Sequence, residues 1–405
     1  MSDSPYLSDQ HLAVRDTVRE FARAEVAPVA AKLDVAATFP WETVKRMGEL
    51  GFLGVPWDEK LGGAGLDYLS YIITIMEMAK VDASHAITIS AHTTLGTSPI
   101  VRFGTDAQRA RYVPLLASGR VLGGFGLTEE SAGSDAGGTR TTAVRRGDHY
   151  VLNGAKRFIT HGSVGEIFVV TAVTDASRKK HGITSFILTK PTSDLERART
   201  VGIGHDASLP AMSGFTAGRK EDKLGWRASD TSELIFQDVP VPVENRLGEE
   251  GQGFNNFMQT LDSGRVGIAA LSLGLAEGAF DLALRYASDR KQFGHPIGEF
   301  QAIQFQLADV ATAIEAGRHL VFHAAWLAQR GRPFGPQAAM AKLFCSELAM
   351  RATHRAVQIH GGYGYTRDFP VERMMRDAKI CEIGEGTSEI QRLVIARHVL
   401  KQLRD

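Results

Sequence analysis

The amino-acid sequence predicts a multidomain α+β protein with an all-α N-terminal domain, a middle β-domain and a C-terminal helical bundle. Its 405 residues, 43% of them hydrophobic, are enough for two or three domains. The spacing of apolar residues changes from helical to strand-like near residue 121, and back again after residue 242. Strands and helices do not alternate, which argues against a doubly wound nucleotide-binding fold. The predicted domains are residues 1–121, 122–242 and 243–405.

Helical spacing predicts the N-terminal domain. Ser8 is a suitable N-cap, and Val14, Val18 and Phe21 recur on one face of the helix that follows. Pro28 predicts the end of this helix, because proline lacks the backbone N–H that a helix interior needs. Helical spacing then continues to about residue 117, so we expect a domain without strands.

Short runs rich in β-branched residues predict the middle domain. The runs IFVVTAV, ITSFIL and SELIF are separated by turn signals that include Gly147-Asp148 and Asn153-Gly154. The polar, Gly- and Ser-containing stretch of residues 192–218 predicts an exposed loop. After Pro240 and Pro242, which act as breakers, long segments with helical spacing predict the C-terminal bundle.

Composition excludes several classes of function. The 46 Lys and Arg residues balance the 46 Asp and Glu residues, so no overall charge attracts nucleic acid or an anionic membrane. The sequence predicts no membrane insertion, since it has no run of 18 or more apolar residues. Cys345 and Cys381 lack metal-ligand spacing, and no metal site is expected. The start, MSDSPYLSDQ, has no signal or transit pattern, so we expect a cytoplasmic protein.

Two segments of the middle domain carry groups that suit a bound heteroaromatic ring. FGLTEESAGSD places Thr128 and Ser134 in a glycine-punctuated loop, where hydroxyls and free N–H groups also suit a pyrophosphate. The same hydroxyls can instead satisfy their own turn. In RFITHG, Phe158 can lie against a flat ring and Thr160 can hydrogen-bond its edge, although a strand aromatic more often belongs to the core.

Three features of the last third each have two interpretations. Arg290 can bind a pyrophosphate or stabilise a helix C-terminus. Asp262 and Arg265 share a helix face, where an ordinary ion pair is the simpler interpretation. The glycines of GGYGY follow a helical segment, so they suit a C-cap turn at least as well as phosphate binding.

Glu385 lies in the glycine-flanked break of EIGEGTSEIQR, before apolar helical spacing resumes. A carboxylate in such a break can point into an apolar pocket, where desolvation raises its pKa and makes it a general base. A solvated loop glutamate is the commoner arrangement for this composition. Residue types at this position therefore leave both readings open.

Taken together, the motifs resemble the signature segments of acyl-CoA dehydrogenases, in the same order and at similar spacing over nearly the whole chain. The similarity is greatest to the short-chain, butyryl-type branch. It is carried by FGLTEESAGSD, RFITHG, KEDKLGWR, LGEEGQGF, LDSGR, DRKQFG, QIHGGYGY and RDAKICEIGEGTSEIQR.

The resemblance implies a β-barrel middle domain, a C-terminal four-helix bundle and an FAD that reaches a neighbouring subunit, usually in a homotetramer. The implied FAD contacts on the sheet side are Phe125, Leu127, Thr128, Ser134, Phe158, Ile159 and Thr160. Those of the C-terminal domain are Arg290, Gln292, Phe293, Gln301, Gln358, Gly361, Gly362, Thr387 and Glu389. The implied contacts to the CoA thioester are Ser134, Asp262, Arg265 and Gly386.

Glu385 matches the family's catalytic base, which takes the α-proton while hydride leaves Cβ for flavin N5. In a sub-branch the base is carried on the helix of LDSGR; Gly264 stands at that position here and cannot act as a base. Gly384 stands where short- and medium-chain members usually carry a tyrosine, so a branched substrate is compatible with the site. Residues 192–213 resemble an insertion relative to compact members.

The resemblance predicts a dehydrogenase for short- to medium-chain acyl-CoA, straight or branched, that passes electrons to electron-transfer flavoprotein. Two alternatives remain, an acyl-CoA oxidase and a non-catalytic acyl-CoA-binding homologue. The chain lacks the long C-terminal extension of typical oxidases. Retention of Glu385 and of the full set of flavin motifs argues against a non-catalytic protein.

Overall fold

A computed structural model describes residues 5–401 as helices, then strands, then helices, which confirms the predicted fold class. The α-helices of this range are α1 Asp9–Phe21, α2 Ala27–Ala36, α3 Trp41–Glu49, α4 Tyr68–Ala79, α5 Ala83–Ser90, α6 Ser98–Phe103, α7 Asp106–Ala117, α8 Leu195–Val201, α9 Gly253–Asp289, α10 Gln301–Gln329, α11 Gly335–His360, α12 Val371–Lys379 and α13 Ser388–Lys401. The β-strands are β1 Gly123–Gly126, β2 Thr142–Arg146, β3 His149–Thr160, β4 Ile167–Val173, β5 Ile183–Thr189, β6 Phe215–Lys220, β7 Thr231–Pro242, β8 Arg246–Leu247, β9 Lys291–Gln292 and β10 His295–Pro296.

The first helix begins where its sequence predicts but does not end there. Ser8 is the N-cap of α1 and forms a capping box with His11. The prediction that Pro28 ends the helix is wrong, since Pro28 lies in the first turn of α2. A π-helical turn, Ala22–Val26, joins α1 to α2. Proline is tolerated in a first turn because N–H groups there have no intrahelical partner.

The middle domain is an eight-stranded sheet whose hydrogen-bonded order is β6-β7-β3-β2-β4-β5-β8, with β1 paired to β4. Phe168 of β4 and Phe215 of β6 have ring centroids 5.5 Å apart, although β7, β3 and β2 lie between their strands. The sheet therefore curls around its own core as a barrel does. Its last strand, β8, lies beyond the boundary predicted at residue 242 and pairs with β5.

Alternation along β4 explains why this sheet has two buried faces. Phe168 and Val170 belong to the core inside the curled sheet. Ile167 and Val169 point the other way and pack in a second core with Val113 of α7. A strand buried on both faces therefore reads as a continuous apolar run, as IFVVTAV does.

One of the two predicted turns is a β-bulge. Gly147 and Asp148 do connect β2 to β3, with Arg146 opposite His149. Asn153 and Gly154, predicted as a turn, lie inside β3, where the pairing with β7 shifts register. The Asn153 side chain exchanges two hydrogen bonds with Asp238, each of 2.9 Å, and these replace the ladder bonds lost at the bulge.

Residues 192–218 are not the exposed loop that their composition predicts. They contain α8 and the first residues of β6, and they bury Ala198, Ile203 and Met212. Glu166 accepts hydrogen bonds from the His205 ring and from the Asp206 N–H, each of 2.8 Å. The segment is thus a folded part of the protein, held by groups distant in the sequence.

The C-terminal domain packs α10 and α11 along the 37-residue helix α9, with α13 against α11. By length and mean hydropathy α9 could cross a membrane. Its most apolar window is 83% buried inside the protein, as expected for the central helix of a bundle. Val266, Ile268 and Leu273 of α9 join the apolar residues of α4 in one continuous core.

Candidate active site

Glu385 lies in the break between a 3-10 turn, Ile380–Glu382, and α13. The backbone is left-handed at two consecutive residues, with φ of +52° at Glu385 and +93° at Gly386. This turn directs the glutamate side chain inward. Both carboxylate oxygens are buried, and neither has a hydrogen-bond partner among the described residues. The carboxylate of Glu385 is therefore not that of a solvated loop.

Burial raises the pKa of Glu385 from 4.5 to about 7, because an apolar surrounding disfavours the charged form. Two cations, Lys342 and Arg265, act in the opposite direction and favour the carboxylate. A carboxyl group with a pKa near neutrality can take a proton and release it again at ordinary pH. The chemistry that this arrangement supports is proton abstraction by a buried base.

Helix α9 forms the wall opposite this carboxylate. A Cβ atom on Gly264 would collide with Glu385 Oε2, so the glycine makes room for the base. Asp262 accepts a hydrogen bond of 2.7 Å from Arg265, the intrahelical ion pair that their spacing predicts. Arg265 is buried, and its Nε has no partner within residues 5–401. Its guanidinium therefore retains a donor beside the base.

Two tyrosines of α4 form another wall. Their rings lie 5.6 Å apart. Tyr68 donates a hydrogen bond of 3.0 Å to the Ser263 carbonyl, and Tyr71 donates one of 3.2 Å to the Ser90 carbonyl. Burial, with a further contribution from the Glu385 charge, raises the pKa of both tyrosines well above the usual value. Both remain neutral near pH 7, so neither tyrosine competes with Glu385 as a base.

Two buried side chains that sequence reasoning missed hold the Glu385 loop. Lys342 of α11 donates a hydrogen bond of 2.8 Å to the Gly386 carbonyl. Gln391 of α13 donates one of 2.8 Å to the same carbonyl and one of 3.3 Å to the Glu385 carbonyl. Lys342 stands in the apolar stripe of Ala338 and Cys345, where a charge is out of place. That break in the pattern is the signal that could have identified it.

The sheet-side residues implied as FAD contacts lie on β1, on the loop after it and on β3. The Arg157 N–H donates a 2.7 Å hydrogen bond to the Thr128 carbonyl and thereby joins the loop to β3. Phe158 has a φ of +57° and is 64% exposed, so it is not a core aromatic. Thr160 is half-buried, whereas Ile159 is buried inside the sheet. The remaining members are Phe125 on β1, half-buried Leu127 and exposed Ser134.

A buried ion pair anchors this loop. Lys156 of β3 donates hydrogen bonds to the Leu127 carbonyl, at 3.1 Å, and to Glu129, at 2.7 Å. Glu129 also accepts from the Thr139 hydroxyl and from the N–H groups of Arg140 and Thr141. Desolvation would raise the pKa of Glu129, but Lys156 and these donors lower it to about 2. The carboxylate is fully satisfied and fixes both ends of the loop.

A third set of implied contacts surrounds a separate cavity of about 470 Å³ at the end of α9. Arg290, Gln292, Gly361 and Gly362 line it. The Arg290 guanidinium lies 5.8 Å from the centre of the Tyr363 ring, and no ion pair holds it within the described residues. Phe293, Gln301 and Gln358 do not line this cavity; they lie on the hairpin, on α10 and on α11.

The base and this cavity are far apart on one chain. Gly264, which faces Glu385, and Arg290 are 26 residues apart along α9, which at 1.5 Å per residue is roughly 39 Å. The implied substrate contacts Asp262, Arg265 and Gly386 lie near Glu385. Thr387 directly precedes α13 and accepts a hydrogen bond from the Ile390 N–H, and Glu389 lies in the first turn of α13. The structure thus divides the predicted FAD residues into two groups.

Comparisons with known proteins identify the family. The acyl-CoA dehydrogenase N-terminal, middle and C-terminal domains match residues 8–120, 124–239 and 251–400. The chain belongs to the acyl-CoA dehydrogenase family, and it is therefore an FAD-dependent oxidoreductase.

The chain is similar to family members whose names state a preference for short acyl chains. It is 48% identical over 395 residues to the short-chain specific acyl-CoA dehydrogenase of Clostridium acetobutylicum, covering 98% of this chain and 99% of that one. The solved butyryl-CoA dehydrogenase of Megasphaera elsdenii has a TM-score of 0.91 and 45% identity, covering 97% and 99%. A chain in the solved structure of the electron transferring flavoprotein of Acidaminococcus fermentans has a TM-score of 0.91 and 47% identity, covering 97% and 98%.

The residues present fit FAD. The exposed Phe158 ring offers a face for a flat heteroaromatic ring, and half-buried Thr160 stands beside it. The unpaired Arg290 in the cavity at the end of α9 suits a pyrophosphate. The two buried carboxylate oxygens of Glu385 have no hydrogen-bond partner within residues 5–401, so they are available to a reacting group bound next to them. Among residues 5–401 no group of three metal-ligating side chains occurs.

Proposed function

We propose that this protein dehydrogenates the Cα–Cβ bond of short- to medium-chain acyl-CoA thioesters, straight or branched, to trans-2-enoyl-CoA. The observation that carries the proposal is the buried carboxylate of Glu385, which has no hydrogen-bond partner among residues 5–401 and a pKa raised by burial to about 7. An acyl α-carbon is a weak acid, so its proton needs a base held close and out of water. Glu385 meets both conditions.

The roles of the residues follow from their positions. Bound FAD supplies the acceptor for the β-hydride. Glu385 receives the α-proton on a carboxylate oxygen and holds it until the product leaves. Tyr68 and Tyr71 close the pocket with neutral hydroxyls already bonded to carbonyls, so they do not compete for that proton. Arg265 and Lys342 keep enough of Glu385 ionised for it to act near neutral pH.

The preference for short chains is supported by the relatives, which carry short-chain and butyryl-type names. Gly384 adds a feature of this chain. A Cβ atom there would contact the Ile380 carbonyl alone, at an ordinary 3.5 Å, so the position has space that a larger side chain could fill. A small residue directly before the base in the sequence supports the inclusion of branched acyl groups.

The oligomeric state and the electron acceptor are further parts of the proposal. FAD does not span roughly 39 Å, so the Arg290 group of one chain would bind the FAD held by a second copy. We therefore propose a homo-oligomer, most simply a dimer of dimers, in which each FAD contacts two chains. Electron-transfer flavoprotein is the proposed acceptor, in line with the similarity to the Acidaminococcus fermentans structure.

The test is a panel of straight acyl-CoAs from butyryl to palmitoyl, together with isobutyryl- and isovaleryl-CoA. Product would be identified as trans-2-enoyl-CoA by mass and ultraviolet absorbance, with electron-transfer flavoprotein or oxygen as acceptor. We expect turnover of the short and medium chains with the flavoprotein. Turnover with oxygen alone would indicate an oxidase, and binding without product would indicate a non-catalytic acyl-CoA-binding protein.

A further inference from the structure

Lys342 is a buried lysine without an acidic partner. Its side chain has no solvent exposure, and it forms no ion pair in the described part of the chain. Its ammonium donates a hydrogen bond of 2.8 Å to the carbonyl of Gly386, the residue that follows Glu385. Burying a charge without a paired charge is costly, so such a lysine calls for an explanation. The hydrogen bond to the loop of Glu385 is the feature that distinguishes Lys342 from an ordinary buried lysine.

The loop that Lys342 holds has an uncommon backbone. Glu385 is a non-glycine residue with positive φ, a conformation that persists only where surrounding contacts enforce it. Lys342 from α11 and Gln391 from α13 both donate to the Gly386 carbonyl. The two bonds reach the loop from different helices and fix the peptide that follows Gly386, and Gln391 also bonds to the Glu385 carbonyl itself.

We propose that Lys342 is a positioning residue for the base: its hydrogen bond to Gly386 holds the Glu385 turn, and its positive charge favours the carboxylate form of Glu385. The inference rests on the proposed role of Glu385 as the proton acceptor. Lys342 touches neither substrate nor the transferred proton in this account. It acts through the residue that does.

The charged and titratable groups around Glu385 come from three helices. They are Lys342 on α11, Arg265 with its partner Asp262 on α9, and Tyr68 and Tyr71 on α4. Cys381 and Glu382, on the turn before Glu385, act on Lys342. Burial raises the pKa of Cys381 and of both tyrosines, so these are neutral near pH 7. Burial lowers the pKa of Lys342 to about 8, which leaves it charged at neutral pH.

The sign of the effect follows from charge. Lys342 is the larger of the two cationic contributions that lower the pKa of Glu385. Removing it destabilises the carboxylate, so the pKa of Glu385 rises and a higher pH is needed to ionise the base. A role confined to packing would lower stability without moving this pH dependence.

The experiment compares Lys342→Met, which removes charge and donor, with Lys342→Arg, which keeps both. The matched control is Lys190→Met, since Lys190 is another buried lysine that bonds to a carbonyl, Gly165, but directly follows β5 of the middle domain. Each variant, loaded with FAD, is mixed anaerobically with butyryl-CoA from pH 6 to 9. The ionisation of Glu385 is followed separately by its infrared carboxyl band, which is assigned by its loss in Glu385→Gln.

We expect Lys342→Met to move the acid limb of flavin reduction up by about one pH unit, which is about a tenfold lower rate on that limb. The infrared band should shift in parallel, Lys342→Arg should restore most of the wild-type profile, and Lys190→Met should leave it in place. The proposal would be overturned if Lys342→Met left both the acid limb of the pH–rate profile and the infrared titration of Glu385 unchanged. An equal shift in Lys190→Met would overturn it as well.

Two further controls keep the outcomes separate. If Lys342→Met does not fold, Lys342→Gln removes the charge but retains a donor, and an unshifted band in that variant contradicts the proposed charge effect. If no acyl-CoA reduces the wild-type flavin, the proposed function fails. The infrared titration then still decides whether Lys342 controls the ionisation of Glu385.

Discussion

At the scale of single residues, the left-handed turn of Glu385 and Gly386 and the missing side chain of Gly264 act together. The turn directs the carboxylate inward, and the glycine leaves the volume that the carboxylate occupies. The resemblance to the family implies that another branch carries its base at the position of Gly264, and in this structure that position lies against the Glu385 carboxylate.

The buried carboxylate has a measurable effect on stability. Because the pKa of Glu385 rises from 4.5 to about 7 on folding, the folded state is most favoured with the group protonated, and stability is lost as pH rises through this range. We expect Glu385→Gln to be more stable than the wild type by about 3 kcal/mol at pH 8 and by less than about 1 kcal/mol at pH 5.

Thermal denaturation of both proteins at the two pH values measures this difference. FAD content must be equal in the two samples, since bound cofactor raises the stability of either. A gain that is the same at pH 5 and pH 8 would mean that the charge of Glu385 is not its cause.

Gly384 tests the origin of substrate preference. Tyrosine adds a large side chain at the residue directly before the base, so Gly384→Tyr should lower kcat/KM for isobutyryl- and isovaleryl-CoA at least about tenfold relative to butyryl-CoA. Gly384→Ala serves as the matched control, because its Cβ makes an ordinary contact. Equal losses on straight and branched substrates would show that this position does not select between them.

Local sequence signals predicted some of these residues and missed others for a physical reason. The glycines around Glu385 are a chain break that can be read from neighbours alone. Lys342 and Gln391 act on that break from α11 and α13, and a contact between helices leaves little trace in the spacing of either. Phe158 was ambiguous because a strand aromatic points to either face, and a positive φ decides which.

At the scale of elements, the loop after β1 depends on a buried ion pair beneath it. Lys156 bonds to both the Leu127 carbonyl and Glu129, and removing it leaves a buried carboxylate without its charge partner. Lys156→Met should destabilise the protein by about 3–5 kcal/mol. It should also release FAD at a lower temperature than the wild type.

Flavin fluorescence during heating reports this release, and Lys190→Met again provides a buried lysine of the same domain as control. If FAD leaves both variants at the same temperature, the ion pair has no special part in holding the loop.

The segment of residues 192–218 shows where element prediction fails. Its composition is that of a loop, but its anchors are remote: Arg120 forms a 2.7 Å ion pair with Asp206, and Glu166 bonds to the adjacent residue as well. Long-range pairs of this kind cannot be seen in a local window. By contrast, the run of β4 was predictable, because burial on both faces makes it apolar throughout.

At the scale of the whole molecule, the distance between the two groups of predicted FAD residues underlies the proposed homo-oligomer. The order of the three domains could be predicted from the sequence, since the spacing of apolar residues is helical in the first and last domains and strand-like in the middle one. The distance of roughly 39 Å between Gly264 and Arg290 could not be predicted, because it depends on α9 being one unbroken helix. That length separates the two groups of residues on one chain, and it is the observation behind the proposed homo-oligomer.

Mixed assemblies test this directly. Glu385→Gln and Arg290→Ala should each have low activity, whereas co-expressed chains should form mixed dimers with one complete site. Random pairing then gives about a quarter of wild-type activity. Separately purified variants, combined without exchange, are the control. Activity of the co-expressed sample no greater than that of the two variants together would mean that each FAD contacts one chain.

The most direct test of the account is the anaerobic reduction of bound FAD by butyryl-CoA, in the wild type and in Glu385→Gln. We predict rapid bleaching of the wild-type flavin, with a rate that rises with pH through about 7, because the ionised form of Glu385 takes the proton. Glu385→Gln should retain FAD and bleach at least 10²-fold more slowly, on the order of the loss of a general base. Bleaching of that variant at the wild-type rate would contradict the assignment of Glu385 as the base.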